Sequence, residues 1–417
     1  MAERDPQSQL TVRILIGMAT GLAVGLLLNA MGPDGVMREL LVDGALHVGG
    51  EIFLASLKLL VVPLVFVSLV CGTASLDDLT KLGRVGGKTL LLYLATTAVA
   101  ISLALLFAIV FQPGAGFELT TDVQFTPSEP PSLSQTFINL VPTNPVKAMA
   151  EGNMLQIIVF AGLFGLAVTS VGEAGRRMLA VFQDLNDVIM RLVMILMMLA
   201  PYGVFCLIAK VFAVQGFAAI APLAKYFFVV LAVLVLHASL TFSLVVRALA
   251  GLSPLRFFRN MRPPLVVAFS TASSGATLPV TLRTVEKRLG VDNRIASFTV
   301  PLGATINMDG TAIMQGVATG FIAQAYGVDI GPTGYLMVVL TATLASIGTA
   351  AVPGVGLVML AMVLRQVNLP VEGIGLVLGV DRLLDMVRTA VNVAGDAAVT
   401  CVVARSEGAL DDETFRS

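Results

Sequence analysis

Six stretches of the chain, at roughly 11–30, 52–75, 88–112, 154–171, 187–212 and 219–247, are apolar over a length that can cross a bilayer. Each is bounded by charged or Pro/Gly-rich residues. A crossing takes about 20 apolar residues. In hydrocarbon the backbone must also satisfy its own polar groups, which a helix does within one segment. The composition agrees: 56% of the 417 residues are hydrophobic, 13% are charged and the mean hydropathy is +0.90. Soluble domains carry about a quarter charged residues. A water-soluble fold is excluded, and the length is that of one integral membrane domain.

The net charge of −1 provides no basic face for nucleic acid. Cys71, Cys206 and Cys401 lie in apolar stretches without C-x-x-C spacing and read as small buried hydrophobes. His47 and His237 are the only histidines, too far apart in sequence to suggest a metal centre. The N-terminal decapeptide MAERDPQSQL lacks a small-residue cleavage pattern, so the first span is expected to stay. Lys81, Arg84 and Lys88, then Arg176 and Arg177, then Arg247, Arg256, Arg259 and Arg262 mark loops expected on the cytoplasmic side. The segment 113–145, with Glu118, Asp122 and Glu129 and no Arg, and Lys only after the segment, fits the opposite side. The expected location is the plasma (inner) membrane, multi-pass, with both termini cytoplasmic.

Beyond residue 250 Gly, Ser, Thr, Pro and Asn interrupt apolar runs at mid-membrane positions. Such breaks are tolerated where protein or a water-filled cavity surrounds them, and they mark binding sites in transporters. At about 254–285 the run LVVAF is followed by Ser270-Thr271-Ala272-Ser273-Ser274-Gly275 and then ATLPVTL. Each arm is too short to span, and a re-entrant hairpin is expected. The design recurs at about 335–365 around Ser346-Ile347-Gly348-Thr349 and Pro353-Gly354. Each broken segment precedes a helix carrying Asn and Asp, a pattern that reads as an internal duplication.

In the span 372–405, Asp381, Asp385, Arg388, Thr389, Asn392 and Asp396 fall at spacings of four, three, one, three and four. At about 100° per residue they form one stripe about 100° wide. A charge at mid-bilayer costs from about 2.5 to above 10 kcal/mol, so the stripe faces partners. Three Asp against one Arg leave it at −2, and burial favours recruitment of cations or protonation. Arg388 can grip a carboxylate with two N–H groups, and Asp385, one turn away, can accept from an ammonium. Asn392 and Asp396 offer hard oxygen ligands, suited to Na+ or another hard cation better than to a transition metal.

A second constellation, Pro301-Leu-Gly-Ala-Thr-Ile-Asn-Met-Asp-Gly-Thr311, sets Asn307 and Asp309 between Gly303 and Gly310 inside an apolar segment. Two glycines weaken a helix there and free carbonyls that ligate alkali cations. Tyr93, Thr96 and Thr97 add oxygens on one face of the third span.

Four motifs carry a family likeness: STASSGATLP at 270–279, NMDGT at 307–311, SIGTAAVPG at 346–354 and DMVRTAVNVAGD at 385–396. In this order, after six spans, the chain resembles the dicarboxylate/amino acid:cation symporters, the glutamate transporter homologues. The resemblance implies an all-α fold of eight transmembrane helices and two re-entrant hairpins with inverted repeats, assembled as a homotrimer. It implies a scaffold of helices 1, 2, 4 and 5, over 11–75 and 143–212. Helices 3, 6, 7 and 8 and both hairpins, over 88–112 and 219–405, would move as an elevator gated by the second hairpin. It assigns Arg388 to the substrate side-chain carboxylate and Asp385 to its amino group. Ser274, Thr311, Val352, Gly354, Thr389 and Asn392 would complete the pocket. One Na+ would be held by backbone oxygens of Gly303, Asn307 and Asn392 and by the Asp396 carboxylate. A second would be held by backbone oxygens of Thr305, Met308, Ser346, Ile347 and Thr349, and a third by Tyr93, Thr96, Thr97, Asn307 and Asp309. Relatives often carry a second arginine, at positions that are Ala272 and Met386 here.

The expected function is Na+-coupled uptake of aspartate or glutamate, not an enzymatic one. A C4-dicarboxylate carrier coupled to Na+ or H+ is the alternative and would have no use for an ammonium acceptor. An intramembrane hydrolase built on Ser273, Ser274 and His237 would leave the buried carboxylates unexplained.

Overall fold

The computed structural model describes residues 6–31, 39–74, 79–116, 141–346 and 355–416, and every extended element among them is helical. Helix α1 covers Pro6–Ala30; a π-helical turn, Glu39–Leu46, leads into α2, His47–Ala74; α3 is Leu79–Phe111. The short α4, Pro145–Glu151, precedes α5, Met154–Ser170, α6, Glu173–Met197, and α7, Ala200–Gln215. Among the described residues, four helices are individually long and apolar enough to cross a membrane: Val12–Ala30, Arg84–Phe111, Ile220–Ala248 and Val371–Ser406. The α6–α7 pair passes the same test when taken together.

That pair departs from the single window expected at 187–212, because its axis bends by 49° between the two helices. Pro201 opens α7, where its missing N–H falls in the first turn and leaves no bond unmade. Helix α1 lies along α7 on a track of glycines. A methyl group on Gly17 would stand 2.4 Å from the Pro201 carbonyl oxygen, and one on Gly21 2.8 Å from that of Phe205. Small residues at this spacing allow backbone to approach backbone. Helix α2 packs on α5, α6 and α7.

The rest of the chain gathers around its last long helix. The sixth span starts as α8, Ile220–Leu236, passes through a π-helical turn at His237–Phe242 and continues as α9, Ser243–Ala248. After α10, Pro254–Asn260, come α11, Arg262–Thr271, and α12, Ser274–Lys287, two short helices packed on each other and on the last long helix. Ala272 turns the chain between them in the left-handed region, at φ 49°, and the Ser273 hydroxyl accepts the Ala276 N–H to cap α12. Next are α13, Asn293–Ile306, and α14, Asp309–Ala325, separated by the non-helical Asn307 and Met308. Helices α15, Gly331–Ser346, and α16, Val355–Gln366, pack on each other, and the tip between them lies outside the described residues. Helix α17, Ile374–Ser406, is almost wholly buried, and α18, Asp412–Arg416, ends the fold. Around α17 stand α3, α7, α8, α11, α12, α13, α14 and α16.

Candidate substrate and cation site

The expected stripe on α17 is buried and faces protein along its whole length: Asp381, Asp385, Arg388, Thr389, Asn392 and Asp396 are all buried. Arg388 is 1% exposed. Its Nη1 donates to Asp381 at 2.7 Å and its Nη2 to Asp385 at 2.8 Å, so one guanidinium spans two turns of its own helix. Asp381 thus holds the arginine in place. Gly310, on α14, lets the helices touch, since a methyl group there would stand 2.5 Å from the Arg388 carbonyl oxygen. A methyl group on Gly356, on α16, would lie 3.4 Å from Arg388 Nη2 and 3.3 Å from the Thr311 methyl, which places Thr311 and the first turn of α16 near the guanidinium. Thr389 donates its hydroxyl to the Asp385 carbonyl.

One turn further along, Asn392 joins the broken helix pair to α17. Its Oδ1 accepts the Gly310 N–H at 2.7 Å, and its amide donates to the Met308 sulfur at 3.3 Å. The Asn307 amide donates to the Asn392 carbonyl and to Asp396 Oδ1 at 2.9 Å. Asn307 Oδ1 is buried with no hydrogen-bond partner among the described residues. An orphaned acceptor beside a buried carboxylate is the chemistry of a cation cradle. Gly303 completes it, because a methyl group there would stand 2.5 Å from the Tyr93 hydroxyl and 2.6 Å from Asp396 Oδ1.

The third expected set converges as well, but apart from Asn307 Oδ1 its side-chain oxygens have protein partners. Asp309, fully buried, accepts the Thr97 hydroxyl at 2.6 Å, and its other oxygen lies 3.0 Å from His237 Nε2. Tyr93 donates to the Thr299 carbonyl and Thr96 to that of Tyr93. Of the second set, Met308 and Ser346 are buried, Thr305 is exposed, and no hydrogen bond joins these three. Ile347, Thr349, Val352 and Gly354 lie outside the described residues. Ser274 is buried at the start of α12.

The family model described as the sodium:dicarboxylate symporter family matches residues 10–406. The chain belongs to the sodium:dicarboxylate symporter family. It is similar to the proton/glutamate-aspartate symporter of Escherichia coli (strain K12), at 39% identity across 96% of this chain and 93% of that one. It is 37% identical to the proton/sodium-glutamate symport protein of Bacillus caldotenax, over 95% of this chain and 96% of the relative. It is 33% identical to the C4-dicarboxylate transport protein of Rhodospirillum rubrum, over 95% and 89% respectively. Members of the sodium:dicarboxylate symporter family are transporters and not enzymes, and the chain is a multi-pass membrane protein.

Two contacts among this symporter's polar groups escaped the sequence reading. Arg382 lies 3.5 Å from Asp385 Oδ2, with both side chains 13% exposed. On the helical wheel it falls only about 20° beyond the edge of the stripe, which is the signal that could have found it. It brings a second cation to the site where Ala272 and Met386 bring none. His237 left no such signal, since its partner Asp309 is 72 residues away. His237 Nε2 is paired with Asp309 and the Ser273 hydroxyl caps α12, and the family is one of transporters, so the imagined hydrolase is set aside.

Proposed function

We propose that this symporter takes up an acidic amino acid, aspartate or glutamate, together with Na+. The observation that carries the reading is the buried Arg388 beside Asp385, a guanidinium for the side-chain carboxylate and a carboxylate for the ammonium. Ser274, Thr311, Val352, Gly354, Thr389 and Asn392 complete the pocket. The E. coli and B. caldotenax relatives, both named as glutamate symporters, support an amino acid. The R. rubrum relative keeps a C4-dicarboxylate, coupled to Na+ or H+, as the second reading.

Asp396, Asn307, Asn392 and Gly303 would hold Na+, and the unpaired Asn307 Oδ1 supports that fit. A bound cation would offset the Asp396 charge, which is how ion and substrate binding become linked. The chain's own part is to fix the ligands: Asn307 ties α13 to α17, and Asn392 ties α17 to the first turn of α14. Because Asn392 serves both sets, ordering it for one ligand prepares it for the other.

The architecture in this reading is eight spans with two re-entrant hairpins, α11–α12 and α15–α16, in a homotrimer. Packing supports a scaffold of α1, α2, α5, α6 and α7 and a transport unit centred on α17. The unit would move as an elevator with α15–α16 as its gate. Uptake of labelled aspartate into proteoliposomes tests the coupling. An inward Na+ gradient is expected to drive accumulation at constant pH, and equal uptake without Na+ would sink the claim. Succinate competing as strongly as aspartate would favour the dicarboxylate reading.

A further inference from the structure

Resting on Asp385 as the ammonium acceptor, we propose that Arg382 is a specificity-determining residue, holding Asp385 in the absence of an amino group and yielding it when one arrives. Both oxygens of Asp385 are engaged by cations, Oδ1 by Arg388 at 2.8 Å and Oδ2 by Arg382 at 3.5 Å. A substrate ammonium therefore competes with one of them. Arg388 cannot yield, because its other nitrogen is bonded to Asp381 at 2.7 Å, its side chain is 1% exposed, and its backbone is pressed against Gly310. Arg382 makes the longer contact and is the more exposed of the two. It is the cation that an ammonium displaces.

The consequence is electrostatic. Asp381, Asp385, Arg382 and Arg388 together are formally neutral, two charges of each sign. A dicarboxylate entering this cluster leaves the Arg382–Asp385 pair intact and meets no surplus negative charge. An amino acid must break that pair to place its ammonium. Arg382 thus narrows the preference for amino acids over dicarboxylates that Asp385 creates. Without Arg382 the carboxylate is freer for an ammonium and repels a second carboxylate more strongly, because at short range in a buried site neither effect is screened.

The experiment is competition binding of aspartate and succinate to the purified full chain in saturating Na+, in wild type, Arg382→Ala, Arg382→Gln and Arg382→Lys. The ratio of aspartate to succinate affinity is expected to rise about tenfold in Arg382→Ala and in the more conservative Arg382→Gln. It stays near the wild-type value in Arg382→Lys, which retains the charge. A ratio that is unchanged or falls in the neutral variants overturns the proposal, as does a Lys variant that behaves like Ala. A residue important only for folding would lower both affinities together and leave the ratio alone. Asp385→Asn separates the premise from the inference. If wild type binds aspartate and Asp385→Asn leaves that affinity intact, the ammonium assignment falls. If Asp385→Asn abolishes the preference and the Arg382 variants do not move it, only the inference about Arg382 falls.

Discussion

A methyl group at position 303 has nowhere to go. It would stand 2.5 Å from the Tyr93 hydroxyl and 2.6 Å from Asp396 Oδ1, well inside contact distance for both. Tyr93 cannot swing away cheaply, since it is fully buried and bonded to the Thr299 carbonyl at 3.0 Å. Asp396 is tied to the Asn307 amide. Gly303→Ala is therefore expected to push the carboxylate away from the Asn307 amide and out of the Na+ cradle proposed above. Shifting the support of a metal ligand costs about 10- to 100-fold in affinity. The measurement is the Na+ concentration giving half-maximal thermal stabilisation of the substrate-free protein, expected to rise by about tenfold or more. An unchanged Na+ dependence would place the cation elsewhere.

Elements were legible where one periodicity governs them and illegible where a distant contact decides. The α17 stripe could be read because six residues of one helix share a face, and a buried face must be answered by partners. The pairing of Asn307 with this helix across 85 residues was reached only through the family motifs, and that of His237 with Asp309 on α14 not at all, because packing between helices sets both and leaves no local periodicity. The α6–α7 bend carried a signal in Pro201, outweighed by the continuity of the apolar run. Another element-level contact joins the start of α3 to the end of α17. Hydrogen bonds from Lys88, at 2.7 Å, and from Arg84 hold the Glu407 carboxyl below its ordinary value of 4.5. A carboxylate depressed in the folded state stabilises above its unfolded value and loses that contribution as pH falls through the lower folded one. The difference in melting temperature between wild type and Glu407→Gln is expected to hold from neutral pH down to about 4.5 and to shrink to nothing below it. A difference that persists below that range would mean the pair contributes through packing, not charge.

At the scale of the molecule, two groups of helices meet where α7 crosses α17, and the surface between them is smoothed by glycine. A methyl group on Gly379 would stand 2.4 Å from the Ile208 side chain, and one on Gly375 3.2 Å from that of Leu207. Under the elevator reading this is a sliding contact, so its bulk sets a rate. Under a fixed-body reading it is core packing, so its bulk sets only stability. Gly379→Leu separates the two, because residue 379 lies two residues before the Asp381–Arg388 ion pair and is itself on the α7 side. Overpacking costs about 1–3 kcal/mol, which corresponds to about 5- to 150-fold in rate if it falls on the sliding step. Aspartate binding to Gly379→Leu is expected to stay within about threefold of wild type while the initial rate of uptake drops by about tenfold or more. Binding and uptake falling together would show that the contact supports the site's architecture, and that helix α17 does not need to slide past α7 for transport.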